Sequence, residues 1–304
     1  MKTNRTNGSR LMKLNKVFAI VFVVPLLLVL SPKAEAQTSY TVSDLGLLTD
    51  NNGEVVGGAS VNVRGDVVGQ EILAGARRAF LWRGGQSLDL GTLGGPSAGA
   101  RGINALDFVA GTADRPDDTE HAVLWRISRE LSPASLHSQD LGTLGGDASE
   151  GNGINDFGFV VGFAYTPNPD PTFTLNFGQT AHAFVWVGRL HDLGTLGGPN
   201  SIAIGINNKS TVVGWSQVSL VPGDFGIPNL HAAIWNGGKI TDMGSFGGPI
   251  SLALSVNNQD IAVGQSMLSS FFPHAFVWQG GVLTDLGTLP GIPPAALQES
   301  TTSG

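Results

Sequence analysis

One sequence unit is repeated five times along the chain, and this repetition constrains the fold more than any other feature. The string Asp-Leu-Gly-Thr-Leu-Gly-Gly begins at Asp89, Asp140 and Asp192 and returns in degenerate form at Asp242 and Asp285. The steps between these aspartates are 51, 52, 50 and 43 residues. A repeat period of this length is typical of solenoids, propellers and other repeat arrays.

Each unit combines a segment of constant length with one of variable length. A small aliphatic residue and an Asn precede a Val-Val-Gly-like string, and the Gly follows the Asn by 7 positions in all five units. The stretch from that Gly to a His-Ala-Phe-Val-Trp-like string contains 8, 9, 19, 16 and 9 residues. Because packed structure tolerates few insertions, we expect strands in the constant segment and surface loops in the variable one.

Four short candidate strands, separated by Gly, Asn and Pro, occur in each unit. In His182–Trp186 the His, Phe and Trp side chains share one face of a strand, and Ala and Val share the other. Neither face is polar throughout, which indicates a strand buried between two neighbouring sheets. The chain is therefore predicted to be an all-β propeller with about five four-stranded blades. An open β-solenoid or stacked repeat array is the alternative fold.

An additional Asp-Leu-Gly string at Asp44–Gly46 lies ahead of the first complete unit. It predicts that the segments Tyr40–Gly46 and Val282–Leu289 compete for, or share, the blade where the chain ends meet. We expect the ring to close there, because closure removes exposed sheet ends.

The first 36 residues have the layout of a secretory signal peptide. They contain six Lys or Arg residues, a 14-residue apolar run at Val17–Leu30 and the cleavage pattern Ala34-Glu35-Ala36. A membrane anchor is the alternative, but a membrane span needs about 20 apolar residues. We predict a signal peptide at 1–36, a repeat propeller at 37–291 and a C-terminal tail at 292–304, in a secreted or periplasmic protein.

Charge and cysteine content exclude several classes of function. Beyond residue 36 the chain carries 11 basic and 23 acidic residues, which argues against nucleic acid or an anionic membrane as a partner after signal cleavage. The chain has no Cys, so it has no disulfides, thiolate metal ligands or thiol nucleophile.

The strings His-Ala-Phe-Val-Trp, Asp-Leu-Gly-Thr-Leu-Gly-Gly and Gly-Ile-Asn-x-x-x-x-Val-Val-Gly, in this order and period, resemble the HAF-family extracellular repeats of bacteria. The resemblance covers residues 40–291, nearly all of the predicted mature chain. It implies export and repetition, and it implies no settled activity and no catalytic residues. The first unit has Arg78 in place of the His, and Ser60 and Ser255 replace Gly in the first and fifth units.

The repeated polar residues are predicted to be structural. A His recurs at one position in four units, and an Asp recurs at another position in all five. They could form a ring of metal ligands or acids, but a catalytic acid and base need unlike environments, whereas repeated positions are symmetric. We therefore favour hydrogen-bond networks within the blades, with His or Trp N–H groups bonded to Asp or Thr oxygens. The histidines are His121, His182, His231 and His274.

The segment Gly95–Gly99 matches the G-x-S-x-G pattern around Ser97. The serine nucleophile in that pattern requires a strand-to-helix turn, and no helix is readable nearby. With 43 glycines in 304 residues, we interpret the match as coincidental.

The variable loops are the predicted ligand-binding face, because all of them connect the same pair of strands and emerge on one side of the ring. Aromatic residues beside Asp and Asn often hold sugar or protein surfaces, although here they can instead fold back over the core. The candidate binding residues in the two long loops, Phe163–Ala181 and Trp215–Leu230, are Tyr165, Phe173, Phe177, Trp215, Asp224 and Phe225.

No cofactor is predicted, although Ca²⁺ is possible. The candidate ligands are Asp114, Asp117 and Asp118, whose carboxylate oxygens suit calcium but lack the EF-hand spacing. A solvated acidic loop is the simpler interpretation.

The favoured interpretation is a secreted, non-catalytic scaffold that binds a polysaccharide or a cell-surface protein through this loop face. One alternative is a propeller-type glycoside hydrolase or lyase that uses two carboxylates, with Asp118, Asp170 and Asp224 as candidates. A structural surface or matrix protein is another alternative. The sequence leaves open whether the chain is an enzyme, and favours a protein that is not.

Overall fold

The computed structural model describes residues 54–73, 75–128, 133–172, 178–221, 226 and 228–288. The predicted signal peptide, the predicted tail and the segment Tyr40–Gly46 lie outside these residues, so what was predicted for them stays a prediction. Apart from 3-10 structure at Pro133–Ser135 and at Gly226, the regular structure of the described residues consists of strands. This part of the chain contains no helix that is long and apolar enough to cross a membrane.

Five successive antiparallel four-stranded blades, one for each repeat, confirm the predicted propeller fold. Blade one comprises β1 (Glu54–Val61), β2 (Val67–Leu73), β3 (Ala76–Arg83) and β4 (Gln86–Asp89). Blade two comprises β5 (Ala98–Ile103), β6 (Phe108–Asp114), β7 (Glu120–Arg126) and β8 (His137–Asp140). Blade three comprises β9 (Ser149–Ile154), β10 (Val160–Pro169), β11 (Gln179–Trp186) and β12 (Leu190–Asp192).

The last two blades follow the same pattern. Blade four comprises β13 (Ser201–Ile206), β14 (Val212–Gln217), β15 (Leu230–Asn236) and β16 (Lys239–Gly244). Blade five comprises β17 (Gly247–Val256), β18 (Ala262–Leu268), β19 (Pro273–Gln279) and β20 (Val282–Gly287). A single parallel pairing, Leu230 with Ile250, connects these two blades. Because β20 pairs with β19, the outer position of blade five is filled by Val282–Gly287.

The first strand of every blade is innermost, and the fourth is outermost. The five first strands surround a central channel, which ends at one side in the turns between first and second strands. We call this side the turn end, and the side where second and third strands connect the loop end. Convergence of all five first strands on one cavity excludes the solenoid alternative.

Side chains from both faces of each blade form the core, as the alternating pattern predicts. In blade three, Phe184 and Trp186 pack toward blade two, whereas Ala183 and Val185 pack toward blade four. Each of four hydrophobic clusters in the described residues joins two sequence-adjacent blades: one and two, two and three, three and four, and four and five.

The repeated Asn explains the constant spacing between strands one and two. The side-chain oxygen of Asn155 accepts hydrogen bonds from the backbone N–H groups of Phe157 and Phe159 at 3.1 and 3.0 Å. Gly158 completes the turn with a φ of 79°, a conformation that glycine adopts without strain. An inserted residue would break both bonds, so this hairpin keeps its length in every repeat.

The expected ring closure is not observed in the described ranges. Among these residues no hydrophobic cluster joins blade five to blade one. Val61 of blade one and Val263 of blade five lie on opposite sides of this seam. Their side chains are 62% and 42% exposed. As far as the chain is described, the fold is therefore a five-bladed propeller with an open seam.

Candidate functional site

The central channel contains two adjoining cavities that share a collar of aliphatic side chains from the first strands. The cavity at the turn end has a volume of about 350 Å³ and is lined by the repeated asparagines. The second cavity, also about 350 Å³, lies toward the loop end. The shared collar consists of Ile103, Ile154, Ile206 and Val256.

The side chains of the asparagines at the turn end form hydrogen bonds that connect neighbouring blades. The amide nitrogen of Asn104 donates to the backbone oxygen of Asn155 at 2.9 Å, and that of Asn155 donates to the oxygen of Asn207 at 3.1 Å. Asn207 in turn donates to the oxygen of Asn257 at 2.8 Å. Buried amides used in this way have little capacity left for a ligand.

The wall of the second cavity is polar on one side only. Arg101 and Asn152 face the channel from blades two and three, whereas the matching position in blade five is Leu254. The five-fold symmetry of the repeat is therefore broken inside the channel. An asymmetric, partly polar cavity is the kind of place where a ligand can be held in one orientation.

Two ion pairs bridge neighbouring blades at the loop end, and Arg101 of one pair also lines this cavity. The Arg101 guanidinium contacts the Glu150 carboxylate at 2.6 Å, and Arg77 contacts Glu120 at 2.5 Å. The backbone N–H of Ala122 donates to the hydroxyl of Ser149 at 2.9 Å, which holds the start of β9 against β7. Glu150 and Glu120, near the starts of these strands, are thereby neighbours.

Both carboxylates are ion-paired and partly exposed, and the pKa of Glu150 is shifted. Burial raises the pKa of Glu150, the Arg101 charge opposes that rise, and the nearby Glu120 charge adds to it. Burial also raises the pKa of Tyr165, with contributions from both glutamates. A carboxyl group of raised pKa beside a second carboxyl group is an arrangement that acid–base catalysis uses.

The sequence-based predictions missed this site. Glu150 occupies a position that holds Gly99, Ile202 and Leu252 in the neighbouring repeats. A charged residue where the other units carry apolar ones was the available signal. The long variable loops depart from the repeat more conspicuously, so the prediction placed the site there and overlooked Glu150.

The loop-face prediction is corrected in part. Tyr165 and Trp215 lie on strands, because β10 and β14 continue past the Val-Val-Gly string into the stretches that were predicted to be loops. Trp215 is only 8% exposed and contributes to the core. Tyr165 is half-buried beside Phe163. The other candidates, Phe173, Phe177, Asp224 and Phe225, lie outside the described residues.

The candidate calcium ligands are engaged with the protein. Asp114 accepts the backbone N–H of Ser97 at 3.1 Å, and Asp117 is bonded to the Thr119 hydroxyl at 2.6 Å and paired with Arg115 at 3.2 Å. Asp118 occupies a left-handed turn position with a φ of 61°. The described ranges contain no group of three His, Asp or Glu residues placed to hold a metal ion. Calcium binding stays an untested prediction.

The repeated histidines and aspartates form pairs within the blades. The Nδ1 atom of His182 lies 2.8 Å from Asp192, and the other three histidines make the same pair at 2.8 to 2.9 Å. Arg78 preserves the pair in blade one, with a guanidinium–carboxylate distance of 2.6 Å to Asp89. Contrary to expectation, the buried indole N–H groups of Trp125 and Trp235 have no hydrogen-bond partner among the described residues.

The serine motif has a structural explanation. Ser97 lies directly before β5, between two strands, and its hydroxyl accepts the backbone N–H of Arg77 at 3.3 Å. The strand-to-helix turn that a serine nucleophile needs is therefore absent from this part of the described chain. Asp170, an enzymatic candidate, is buried and accepts hydrogen bonds from Thr172 and Asn200 at 2.8 and 3.0 Å.

A second charged cluster lies at the turn end between blades one and two. The buried Asp66 contacts Arg83 at 2.8 Å and Arg64 at 3.1 Å, and both arginines also contact Asp107. Two positive and two negative groups balance one another here. The cluster is therefore structural, because no net charge remains for a ligand.

Replacing Asp66 with Asn should destabilise the protein by about 2 kcal/mol at neutral pH, because the arginines lose a buried partner. Burial alone would raise the pKa of Asp66, but bonds from Arg83, Asn62 and Arg64 outweigh it and lower that pKa. The stabilisation is thus complete above the ordinary Asp pKa of about 4 and is lost as pH falls through the lowered value. Urea unfolding of both proteins across the acid range should show their stabilities converging. The exposed Asp147→Asn substitution, a matched control, should have little effect at any pH.

The comparisons with known proteins concern the fold. No family model and no curated protein matches the chain. The β-propeller domain of the Trilobed protease from Pyrococcus furiosus matches with 9% identity and a TM-score of 0.47, over 77% of this chain and 70% of that one. That domain is a propeller with an open velcro topology.

Two further structures are peptidases of which this chain spans less than two thirds. The acylaminoacyl peptidase of Pyrococcus horikoshii matches with 11% identity and a TM-score of 0.46, over 77% of this chain and 39% of that one. A puromycin-hydrolyzing peptidase of Mycobacterium tuberculosis matches with 11% identity and a TM-score of 0.26, over 75% and 52%.

The prediction of a non-catalytic scaffold is wrong by these comparisons, because the matched structures are propellers of peptidases, which are enzymes. At 9–11% identity the likeness concerns the fold and transfers no peptidase activity to this chain.

Proposed function

We propose that the protein is an exported enzyme that cleaves glycosidic bonds of a polysaccharide at the loop end of its channel. The observation that carries this proposal is the pair of neighbouring, non-repeated carboxylates, Glu150 and Glu120, of which Glu150 contacts Arg101 of the cavity wall. Glycoside hydrolases use two carboxyl groups in this way, one protonated and one ionised.

In the proposed reaction Glu150 donates its proton to the glycosidic oxygen as the bond from that oxygen to the sugar carbon breaks. Glu120 accepts a proton from a water molecule whose oxygen forms the new bond to the same carbon. One water is consumed, and solvent returns the two carboxyl groups to their starting states. Burial supports the role of Glu150, because it keeps the proton available at a higher pH than an exposed glutamate would.

The remaining groups of the site have supporting roles. Arg77 orients Glu120 through their ion pair, and Arg101 orients Glu150 through its own. Tyr165 offers an aromatic surface for a sugar ring. Arg101 and Tyr165 are positioning and binding residues in this scheme.

The test is the release of reducing sugar ends from a panel of bacterial and plant polysaccharides. We expect Glu150→Gln to lower kcat by about 10² to 10⁴-fold, the range for loss of a general acid. Wild-type activity should fall as pH rises through the raised pKa of Glu150, and residual activity of the variant should lack that decline. The Asp147→Asn control removes an exposed carboxylate at the same end and should retain activity.

Three outcomes would contradict the proposal: no turnover of any polysaccharide by the wild type, full activity of Glu150→Gln, or cleavage of peptides in place of glycans. Export rests on the basic region, apolar run and Ala34-Glu35-Ala36 pattern of the leader. The same assay, applied separately to culture medium and cell lysate, tests it. Activity confined to the lysate would argue against export.

A further inference from the structure

The seam between blades five and one exposes surfaces that are buried at every other junction between blades. At the position of Val263, the neighbouring repeats have Val68, Ala110, Val161 and Val213, all fully buried. Each of these four belongs to the cluster that joins its blade to the next one. Val263 faces the same way and is 42% exposed, because no described blade follows.

Two further positions on the same face are also more exposed than their equivalents. Leu286 is 59% exposed, whereas Leu90, Leu141 and Met243 are buried and Leu193 is partly buried. Ala275 is exposed, whereas the matching alanines of the four other blades are fully buried. We call the surface formed by Val263, Ala275 and Leu286 the terminal face.

The opposite side of the seam shows the complementary exposure. Val61 of blade one is 62% exposed. Its equivalents are the four collar residues of the channel, and each belongs to the cluster shared with the preceding blade. Blade one therefore exposes, on its inner strand, the aliphatic side chain that packs against the preceding blade at every other junction.

The hydrogen-bond pattern of the turn end stops at the same seam. Four asparagines, from Asn62 to Asn207, donate from one blade to the backbone oxygen of the next asparagine at 2.8 to 3.3 Å. The fifth, Asn257, is exposed, whereas the others are buried. Its amide would need the oxygen of a following asparagine, as Asn62 of a first blade provides.

We propose that the terminal face binds blade one of a second copy of this chain, head to tail. The argument is continuity with an established interface, because the same two surfaces already pack together four times within each chain. Burial of the exposed aliphatic side chains drives the association. A head-to-tail contact uses two different surfaces, so it can be repeated from copy to copy into rings or filaments.

Ser255 is compatible with this contact. It replaces a glycine that approaches the next blade closely in blades three and four, where a Cβ would lie 2.8 to 3.3 Å from a backbone oxygen. Ser60 occupies the same position in blade one, at a junction that is closed by a hydrophobic cluster. A serine is thus tolerated at this point of a packed junction.

The test measures the molar mass of the purified protein by light scattering over a dilution series. We expect the wild type to show a mass that rises with concentration. Val263→Asp and Val61→Asp each place a charge in the proposed contact and should weaken association at least about ten-fold. Val221→Asp, at a 72% exposed loop position away from the seam, is the matched control and should behave as the wild type.

Mixing the two disrupted variants gives the decisive arm of the experiment. Val263→Asp retains an intact first blade, and Val61→Asp retains an intact terminal face. Because one undamaged contact remains between them, the equimolar mixture should form dimers and nothing larger. A wild type that stays monomeric at all concentrations, or a mixture that behaves like either variant alone, would overturn the proposal.

Discussion

Replacing Gly214 with Ala is expected to destabilise the protein by about 4 kcal/mol or more, at the upper end for overpacked positions. A Cβ at this position would lie 2.0 Å from the backbone oxygen of Ile202 and 3.0 Å from the Cα of Ala203. These are backbone atoms of β13, so no side-chain rotation can relieve the contact. Thermal and urea unfolding should show a large loss of stability or a failure to fold.

The close approach has a structural cause. The pairing of β13 with β14 contains an irregularity between Ala203 and Gly205, next to the residues that face Gly214. A bulge of this kind bends a strand toward its partner and often requires a glycine opposite it. The same contact recurs in blades two, three and five, where a Cβ would lie 1.8 to 2.1 Å from a carbonyl oxygen, which explains the repeated Val-Val-Gly string.

A matched variant separates this contact from the general cost of replacing a glycine. Gly188 lies in a turn with a φ of 85°, and a Cβ there would have no atom within 4 Å. Gly188→Ala should therefore cost only the backbone strain, about 1 to 2 kcal/mol. Equal losses for the two variants would mean that the contact with Ile202 relaxes freely.

Replacing Asn155 with Ala is expected to cost about 3 kcal/mol. The substitution leaves the backbone N–H groups of Phe157 and Phe159 without their acceptor and removes the donor to Asn207. Asn155 is buried, and each buried donor left unsatisfied costs roughly 1 to 3 kcal/mol. Urea unfolding at neutral pH measures the effect.

The fifth blade provides the control for this experiment. Asn257 makes the same two turn bonds, to Gln259 and Ile261, but it is exposed. Water can replace the lost acceptor there, so Asn257→Ala should cost about 1 kcal/mol or less. A similar loss of stability at both positions would contradict the interpretation that this turn is buried in blade three and exposed to water in blade five.

The repeat itself made the fold predictable. Alternation in His182–Trp186 identified a strand buried on both faces, and the constant Asn-to-Gly spacing identified a rigid hairpin. Both inferences depend on contacts within one repeat or between adjacent repeats. Closure of the ring depends instead on geometry accumulated over all five blades, which a local pattern does not encode. Because the segment Tyr40–Gly46 that was predicted to take part lies outside the described residues, closure stays a prediction.

The candidate site was harder to predict for a related reason. Trp215 was assigned to a loop because it follows the repeated glycine, although it alternates with the small residue Ser216 as a continuing strand would. Glu150 and Glu120 come from different blades and meet only through the packing of β9 on β7. The sequence marks such a pair only as departures from the repeat.

An open seam also removes a geometric constraint on the number of repeats. A closed ring must divide a full turn among its blades, so gaining or losing one unit forces every remaining junction to change its angle. Here each described blade is held by its sequence neighbours, and the fifth ends in a face of the same design as the rest. Duplication or loss of one unit in the gene can therefore lengthen or shorten the protein without disturbing the remaining junctions.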